Sequence, residues 1–443
     1  MKHHPSDMAY SYTLRDLVYG RVKRSFGERW TNQTRRIKLH NDKYHAYITV
    51  FEKPLALKGF LSKTLKGAII AVKDIFHIEG YPTTAGSKLL NGKISKTTAY
   101  AVKRILQSGG VVNGKTNLHE FAFGVTNRNP HYGDCLNPFD AGRVSGGSSG
   151  GSAVAVALGM CDAALGTDTA GSVRIPASFC GLVGFKPSQG LISTEGTIPL
   201  SWSLDHVGVI CRTVWDAALL TSVLSDSFKK PLSIKPAGLK GLKIGVPANF
   251  FLEYLDDDVR RNFEKSVEKA GGSGCDVVKV VVEKPETAAR CRFIIVHSEA
   301  AAYHLKLCGG RMDLYGDEVR QRIASGLAIP ASVYLNALRA CKILRDRFRK
   351  IFKQCDVLAV PTTIIPAHRL EEEHVDVGGK LFDVRTATLR NTELFNVYGV
   401  PAVSIPNGYT KNGLPTGLQL VGDIFEDVKL LRIAYAFERL LSS

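Results

Sequence analysis

Short apolar strands alternate with helical segments along most of this chain, and this alternation limits the folds it can adopt. The run GAIIAV, which ends at Lys73, is typical of a short buried strand, and residues 97–108 have helical spacing that ends at two glycines. Further strands are predicted at 182–185, 242–246, 356–360 and 402–405. The pattern predicts an α/β fold: a single large α/β/α sandwich with a central mixed, twisted β-sheet covered by helices on both faces.

Composition excludes several classes of protein. Hydrophobic residues make up 44% of the 443 residues and charged residues 22%, as in ordinary globular proteins. No apolar run reaches the ~18 residues of a membrane span, and the first residues lack the apolar core of a secretory signal. We therefore expect a cytoplasmic protein without a membrane partner.

Cysteine and histidine spacing favours neither disulfides nor metals. The nine cysteines include no CxxC pair, so neither a disulfide framework nor a zinc ribbon is predicted. His77, His119 and His131 lack the spacing of metal ligands, and we interpret them as structural or exposed side chains. No metal or other cofactor is expected.

The charge balance permits an anionic partner without naming one. The chain has 58 Lys and Arg residues against 41 Asp and Glu, a net charge of +17. The excess is concentrated in residues 15–38, 229–243 and 339–353. Because no aromatic-interleaved nucleic-acid motif accompanies these stretches, solvated faces are the favoured interpretation.

A tract of glycine, serine and other small residues between Ser145 and Ser178 is the strongest functional signal. It reads SGGSSGGSAVAVALGMCDAALGTDTAGSVRIPAS. Two of its serines, Ser148 and Ser172, lie where small neighbours let the backbone approach a substrate. Taken singly, Ser148 is an ordinary loop serine and Ser172 a helix cap. Taken together they are candidates for a nucleophile and its helper.

Two generic motifs also match, and their contexts disfavour both. Gly109, Gly114, Lys115 and Thr116 satisfy the phosphate-loop spacing, but a helix precedes them where the motif requires a strand. A nucleotide site is therefore not predicted.

The GxSxG nucleophile elbow matches in two overlapping frames, centred on Ser148 and Ser149, which shows how little a Gly/Ser tract discriminates. That mechanism needs a late histidine, and His368 and His374 both lie in a charged, loop-like segment. We therefore do not favour a hydrolase of this type.

A third pattern covers the chain from about residue 45 to its end. The blocks GAIIAVKDIFHIEGYPTTAGS, SGGVVNGKTNLHEFAFG, SGGSSGGSAVAVALG and LGTDTAGSVRIPASFCGLVGFKPSQGLIS follow one another in order. Together they resemble the amidase signature family. The resemblance implies an amidase, a hydrolase that cleaves carbon–nitrogen bonds of linear amides, with a Ser-Ser-Lys catalytic triad at Ser172, Ser148 and Lys73.

The chemistry of such a triad depends on the lysine. A serine hydroxyl becomes a good nucleophile only when a base removes its proton, and no histidine adjoins either serine in sequence. A lysine pKa near ~10.4 must fall by about three units, against the charged form, for the amine to act at neutral pH. Burial at the end of GAIIAV would lower it. The adjacent Asp74 need not oppose this, because neighbouring strand residues point to opposite faces.

The turn of Thr169, Ala170, Gly171 and Ser172 offers successive backbone N–H groups as an oxyanion hole. The family usually has glycine where this chain has Ala170, and alanine tolerates positive φ less well, so we expect a slightly altered hole. The resemblance further implies a cis peptide bond before Ser148.

Three other residues are implied to support the triad rather than to react. Gly147 relieves the crowding at the cis bond, while Ser149 and Arg174 match positions that fasten the surroundings of the triad.

The residue patterns and the resemblance together predict a domain organisation. Residues 1–60 are predicted to be a helical segment that packs on the core, and residues 61–443 to be the amidase signature domain. Its core motifs occupy 67–215, and 216–443 shapes the substrate site, with the weakest join at 229–241.

The expected substrate is a small amide, cleaved by a stand-alone amidase. The alternative is the A subunit of a glutamyl-tRNA(Gln) or aspartyl-tRNA(Asn) amidotransferase that acts as a glutaminase. Such a protein uses an acidic side chain at the position that falls here on Leu389, with only Glu393 nearby, which weakens this alternative. Nucleic acid is expected as a partner only in that case, and a homodimer is left open.

Overall fold

The computed structural model of the protein describes residues 12–442. Its strands are β1 (Tyr47–Leu55), β2 (Ile69–Lys73), β3 (Val111–Thr116), β4 (Ala163–Asp168), β5 (Val183–Lys186), β6 (His206–Cys211), β7 (Lys243–Pro247), β8 (Asp276–Val280), β9 (Val357–Pro361), β10 (His374–Val377), β11 (Lys380–Asp383), β12 (Ala402–Tyr409) and β13 (Pro415–Val421). Its helices are α1 (Leu14–Val18), α2 (Phe26–Tyr44), α3 (Tyr100–Gln107), α4 (Gly150–Ala157), α5 (Arg174–Phe179), α6 (Val214–Leu224), α7 (Asp257–Gly272), α8 (Pro285–Cys308), α9 (Asp317–Leu327), α10 (Ala331–Arg349), α11 (Val384–Leu389), α12 (Leu394–Val397) and α13 (Asp427–Ser442).

Eleven strands form one sheet, in the order β1-β3-β2-β4-β6-β5-β12-β13-β9-β7-β8. β2 runs parallel to β3 and β4, and β7 runs parallel to β8 and β9. The strands between β4 and β9 pair antiparallel. β10 and β11 form a separate two-stranded sheet. The predicted mixed central sheet is confirmed.

Both faces of this sheet are covered. Successive side chains of β2 alternate between faces, with Ile70 and Val72 in the largest hydrophobic cluster and Ala71 in a second one. The second cluster includes Val154 of α4, and the largest includes Leu219 of α6. The predicted α/β/α sandwich is therefore confirmed, with a sheet buried on both sides.

The prediction of a helical segment over residues 1–60 is wrong in its last part. Residues 1–11 lie outside the described part of the chain, and α1 and α2 follow them. Tyr47–Leu55, however, forms β1, which pairs antiparallel with β3 at the edge of the main sheet. β-branched and aromatic residues are frequent in this stretch and favour a strand once a partner strand is available.

The surface bears on two predictions from composition. Lys229, Lys230, Lys235 and Lys240 are exposed in a stretch that contains neither helix nor strand, as expected for a solvated face. In the described part of the chain no single helix is long and apolar enough to cross a membrane. The bent pair Asp317–Leu327 and Ala331–Lys353 passes that test only when its two helices are counted together.

Candidate active site

Lys73 ends β2 and is fully buried. Its Nζ donates to Ser148 Oγ at 2.7 Å and to Thr167 Oγ1 at 2.8 Å. Every residue of β2 is buried because the strand lies between β3 and β4 in the middle of the covered sheet. The fold therefore brings together a lysine and a serine from two separate sequence blocks.

Burial lowers the pKa of Lys73 to about 7, against the opposing attraction of Asp205 and Asp168. Asp74 does not pair with Lys73. Its carboxylate instead binds Lys115 Nζ at 2.6 Å and accepts a hydrogen bond from Thr84 Oγ1 at 2.5 Å. Lys73 is thus left with hydroxyl partners, and a large fraction of its amine is neutral near neutral pH.

The backbone conformation of the turn that contains Ser148 is restricted by close contacts and hydrogen bonds. The Gly147–Ser148 peptide bond is cis, as the family resemblance implies. A Cβ on Gly147 would lie 2.9 Å from the backbone N of Asn127, so no side chain fits there. The Ser149 N–H donates to Ser172 O at 3.2 Å, and Ser149 Oγ donates to Thr167 O at 3.2 Å. These bonds tie the Ser148 turn to the Ser172 turn and to the end of β4.

The Ser172 turn follows β4 directly. The N–H of Gly171 donates to Asp168 Oδ1 at 2.8 Å, so one of the four predicted oxyanion donors is already engaged. Gly171 has φ +128°, and a Cβ there would lie 2.3 Å from Thr392 Oγ1. Ala170 is not among the described residues with positive φ, so alanine fits there without strain, and the reason for expecting an altered hole is removed.

Arg174, which lies two residues after Ser172, is the largest fully buried side chain among the described residues. It binds both carboxylate oxygens of Asp168, at 3.0 and 2.8 Å, and the side-chain oxygens of Gln419 and Asn396 at 2.6 and 2.7 Å. The arginine holds the pKa of Asp168 well below its usual range, which outweighs the opposing effect of burial. This network positions the turn and does not face the cavity.

A narrow cavity opens beside Ser172. Thr169 and Ala170 line it together with Ser172, and the other lining residues are mostly apolar. Two guanidinium groups, of Arg292 and Arg385, are the exceptions. The cavity therefore places a serine hydroxyl and an N–H-rich turn against a small, partly cationic space.

Comparison with known proteins shows the family of this chain. The Amidase family model matches residues 31–431. The chain belongs to the amidase family. It is 35% identical to the A subunit of glutamyl-tRNA(Gln) amidotransferase from Methanosarcina mazei, over 95% of each chain. A crystal structure of an amidase has a TM-score of 0.86 at 34% identity, covering 96% of this chain and 98% of the other. The corresponding glutamyl-tRNA(Gln) amidotransferase protein of Thermotoga maritima has a TM-score of 0.81 at 32% identity, over 97% and 94%.

The phosphate-loop match and the two late histidines considered from the sequence lie outside the candidate site. Gly114, Lys115 and Thr116 lie inside β3, so the phosphate-loop match is a strand segment. His368 Nδ1 lies 2.8 Å from the carbonyl of Arg369, and His374 begins β10 at the surface. Neither histidine contacts a serine of the site within the described residues.

The other three histidines considered from the sequence make polar contacts elsewhere. Their ring nitrogens lie near Ser95 (His77, 3.0 Å), Glu318 (His119, 3.2 Å) and Glu120 (His131, 3.0 Å).

Four residues of this amidase site carry no conspicuous sequence signal. Thr167 contacts Lys73, Asp205 accepts from Thr169 Oγ1 at 2.6 Å, and Thr392 Oγ1 donates to Ala170 O at 2.7 Å. Asn396 donates to Asp168 O at 2.9 Å. Thr167 lies within the small-residue tract, but its contact with Lys73 depends on the pairing of strands and is not visible in the sequence. Thr392 and Asn396 come from the far C-terminal half, where no local pattern indicates them.

Proposed function

We propose that this amidase hydrolyses a small carboxylic acid amide to the acid and ammonia through an acyl-enzyme on Ser172. The observation that carries the proposal is the buried Lys73, whose amine lies 2.7 Å from Ser148 Oγ with its pKa lowered to about 7. A lysine in this state can accept a proton at neutral pH, which an ordinary lysine cannot.

In the first half-reaction the neutral amine of Lys73 takes the proton of Ser148, and Ser148 takes that of Ser172. The Ser172 Oγ then forms a bond to the amide carbon, and the carbonyl oxygen takes the negative charge. The N–H groups of Ala170 and Ser172, both at the cavity, are the candidate donors to this oxygen. When this tetrahedral intermediate collapses, the carbon–nitrogen bond breaks. Lys73 returns its proton through Ser148 to the leaving nitrogen.

In the second half-reaction water attacks the acyl-enzyme. The relay takes a proton from the water, the acyl–oxygen bond breaks, and the proton returns to Ser172 as the acid leaves. Gly147, Ser149 and Arg174 have positioning roles, since their contacts fix the two turns and none of them lines the cavity.

A second candidate is the A subunit of a glutamyl-tRNA amidotransferase, which would release ammonia from glutamine with a partner protein. The relative from Methanosarcina mazei, similar over almost the full length, favours it. Leu389 argues against it, because this apolar side chain lines the cavity at the position where an acidic one is expected. Glu393, the nearby carboxylate, is engaged by Arg292.

Ammonia release by the purified chain tests the proposal, with an amide panel that includes glutamine. Hydrolysis by the chain alone, lost in a folded Ser172→Ala variant, is the expected result. Turnover of glutamine alone, and only with a partner protein, would favour the second candidate. Full activity of Ser172→Ala would overturn the catalytic assignment.

A further inference from the structure

The cavity beside Ser172 contains more positive than negative charge. Arg292 and Arg385 line it, and Arg322 approaches the same wall, where it donates to the carbonyl of Phe123. The guanidinium carbons of Arg385 and Arg322 lie 5.9 and 5.7 Å from the centre of the Phe123 ring. Two guanidinium groups therefore line the cavity, and a third lies over Phe123, which also lines it.

Two of these three cations have carboxylate partners. Arg292 pairs with Glu393, and Arg322 pairs with Glu318. Arg390, on the same segment as Arg385, is balanced by Glu253 outside the cavity. Among the described residues no carboxylate forms a direct ion pair with Arg385, and Glu318 and Glu393, which attract it, are each paired with another arginine.

The Arg385 side chain is also short of hydrogen-bond acceptors. Its Nη1 is buried and has no hydrogen-bond partner within residues 12–442, and the Nε of Arg292 is in the same position. Burial and the repulsion from Arg322 and Arg292 lower the pKa of Arg385. A buried guanidinium held beside two others is unfavourable unless an anion completes the group.

We propose that Arg385, together with Arg292, forms a carboxylate-binding subsite, so that the amide hydrolysed at Ser172 carries a carboxylate on its acyl part. This inference rests on the proposed function, in which the nitrogen leaves as ammonia and every other substrate atom belongs to the acyl part. A planar guanidinium suits a carboxylate because it offers parallel N–H donors. Because Ser172 and the two arginines line the same narrow cavity, a short chain between the amide and the carboxylate is favoured, as in the monoamides of four- and five-carbon dicarboxylic acids.

The test compares succinamate and glutaramate with neutral amides in which a methyl ketone replaces the carboxylate. For the wild type we expect kcat/KM for one acid of the series to exceed that of its neutral counterpart about tenfold or more, as charged hydrogen bonds allow. Arg385→Met should bring the ratio of kcat/KM for the acid to kcat/KM for its neutral counterpart close to one, mainly by raising KM for the acid. Arg385→Lys should restore part of the preference for the acid.

Arg349→Met is the matched control. It removes the same charge from a surface arginine that pairs with Asp423, away from the cavity, and should leave the preference unchanged. Equal or better hydrolysis of the neutral amides by the wild type would overturn the inference. So would a preference that persists in Arg385→Met.

Direct binding separates this inference from the proposed function. Succinate and glutarate, titrated calorimetrically into the wild type and Arg385→Met, should bind the wild type alone and more weakly as salt increases. Binding without turnover of any amide would support the subsite and overturn the proposed function. Turnover of amides without binding of either dicarboxylate would support the proposed function and overturn the subsite.

Discussion

Lys73 Nζ lies 2.7 Å from Ser148 Oγ, and both side chains are fully buried. This contact joins the end of a central strand to a turn from another sequence block. Because burial disfavours the ammonium form, the same environment that holds the lysine also makes it a usable base.

The pH profile should report the titration of Lys73. Its pKa is lowered to about 7, so the amine is protonated below that pH and neutral above it, and kcat/KM should rise as the pH increases through about 7. Lys73→Met should lower kcat by about 10²- to 10⁴-fold and abolish this rise. Rate measurements from pH 5 to 9 check both.

Lys186 provides the control for this profile. It is also buried, with its pKa lowered to about 7, but its Nζ donates to the carbonyl of Val400. Lys186→Met should therefore retain the rise in activity near pH 7. A profile unchanged in Lys73→Met, or lost only in Lys186→Met, would refute Lys73 as the base.

Thr167→Val should shift the profile of the amidase to lower pH. The threonine Oγ1 accepts a hydrogen bond from the Lys73 ammonium, so its removal destabilises the charged form and lowers the pKa further. We expect kcat to fall about tenfold, because the amine also loses an orienting partner. Thr167→Ser keeps the hydroxyl and should restore the wild-type profile. A shift toward higher pH would contradict this role.

Gly171→Ala should impair turnover, whereas Ala170→Gly should not. A Cβ at Gly171 would lie 2.3 Å from Thr392 Oγ1, on a backbone with φ +128° that alanine rarely adopts. The displaced turn should lower kcat by about 10²-fold or more, the effect of a misplaced oxyanion donor. Steady-state kinetics of the two folded variants compare them directly. Equal activity of both would show that the turn does not bind the oxyanion.

Arg174→Met should destabilise the protein strongly. The arginine is fully buried and binds both oxygens of Asp168, so its removal leaves a buried carboxylate without its charge partner. The expected loss is about 3–5 kcal/mol of unfolding free energy. Denaturant unfolding measures it, with Arg349→Met as the exposed comparison at about 1 kcal/mol or less. Equal effects of the two substitutions would mean that the Asp168 pair is not structural.

Much of the sheet was predictable because its strands are short apolar runs. The strand expected to end at Lys73 is β2, and the run expected at 242–246 is β7, one residue displaced. Tyr47–Leu55 was misassigned because an edge strand carries polar residues on its outer side, and only pairing with β3 identifies it.

The candidate site was also predictable only in part. Ser148 and Ser172 were predicted from a tract of small residues that is visible in the sequence, and Lys73 was predicted from the resemblance to a family. The distance between Lys73 and Ser148, and the contact of Thr167 with Lys73, were not visible, since contacts across a sheet have no local pattern.

The sequence by itself determined the α/β class, the order of the motif blocks and the residue types available for a Ser-Ser-Lys relay. Only the tertiary structure decided the protonation of Lys73, because its pKa depends on how completely neighbouring strands and helices exclude water. The tertiary structure also decided the charge of the cavity. Arg292 and Arg385 are distant in sequence, and no local pattern distinguishes them from surface cations. They become a potential recognition site only because packing places both in the wall of the cavity that Ser172 also lines.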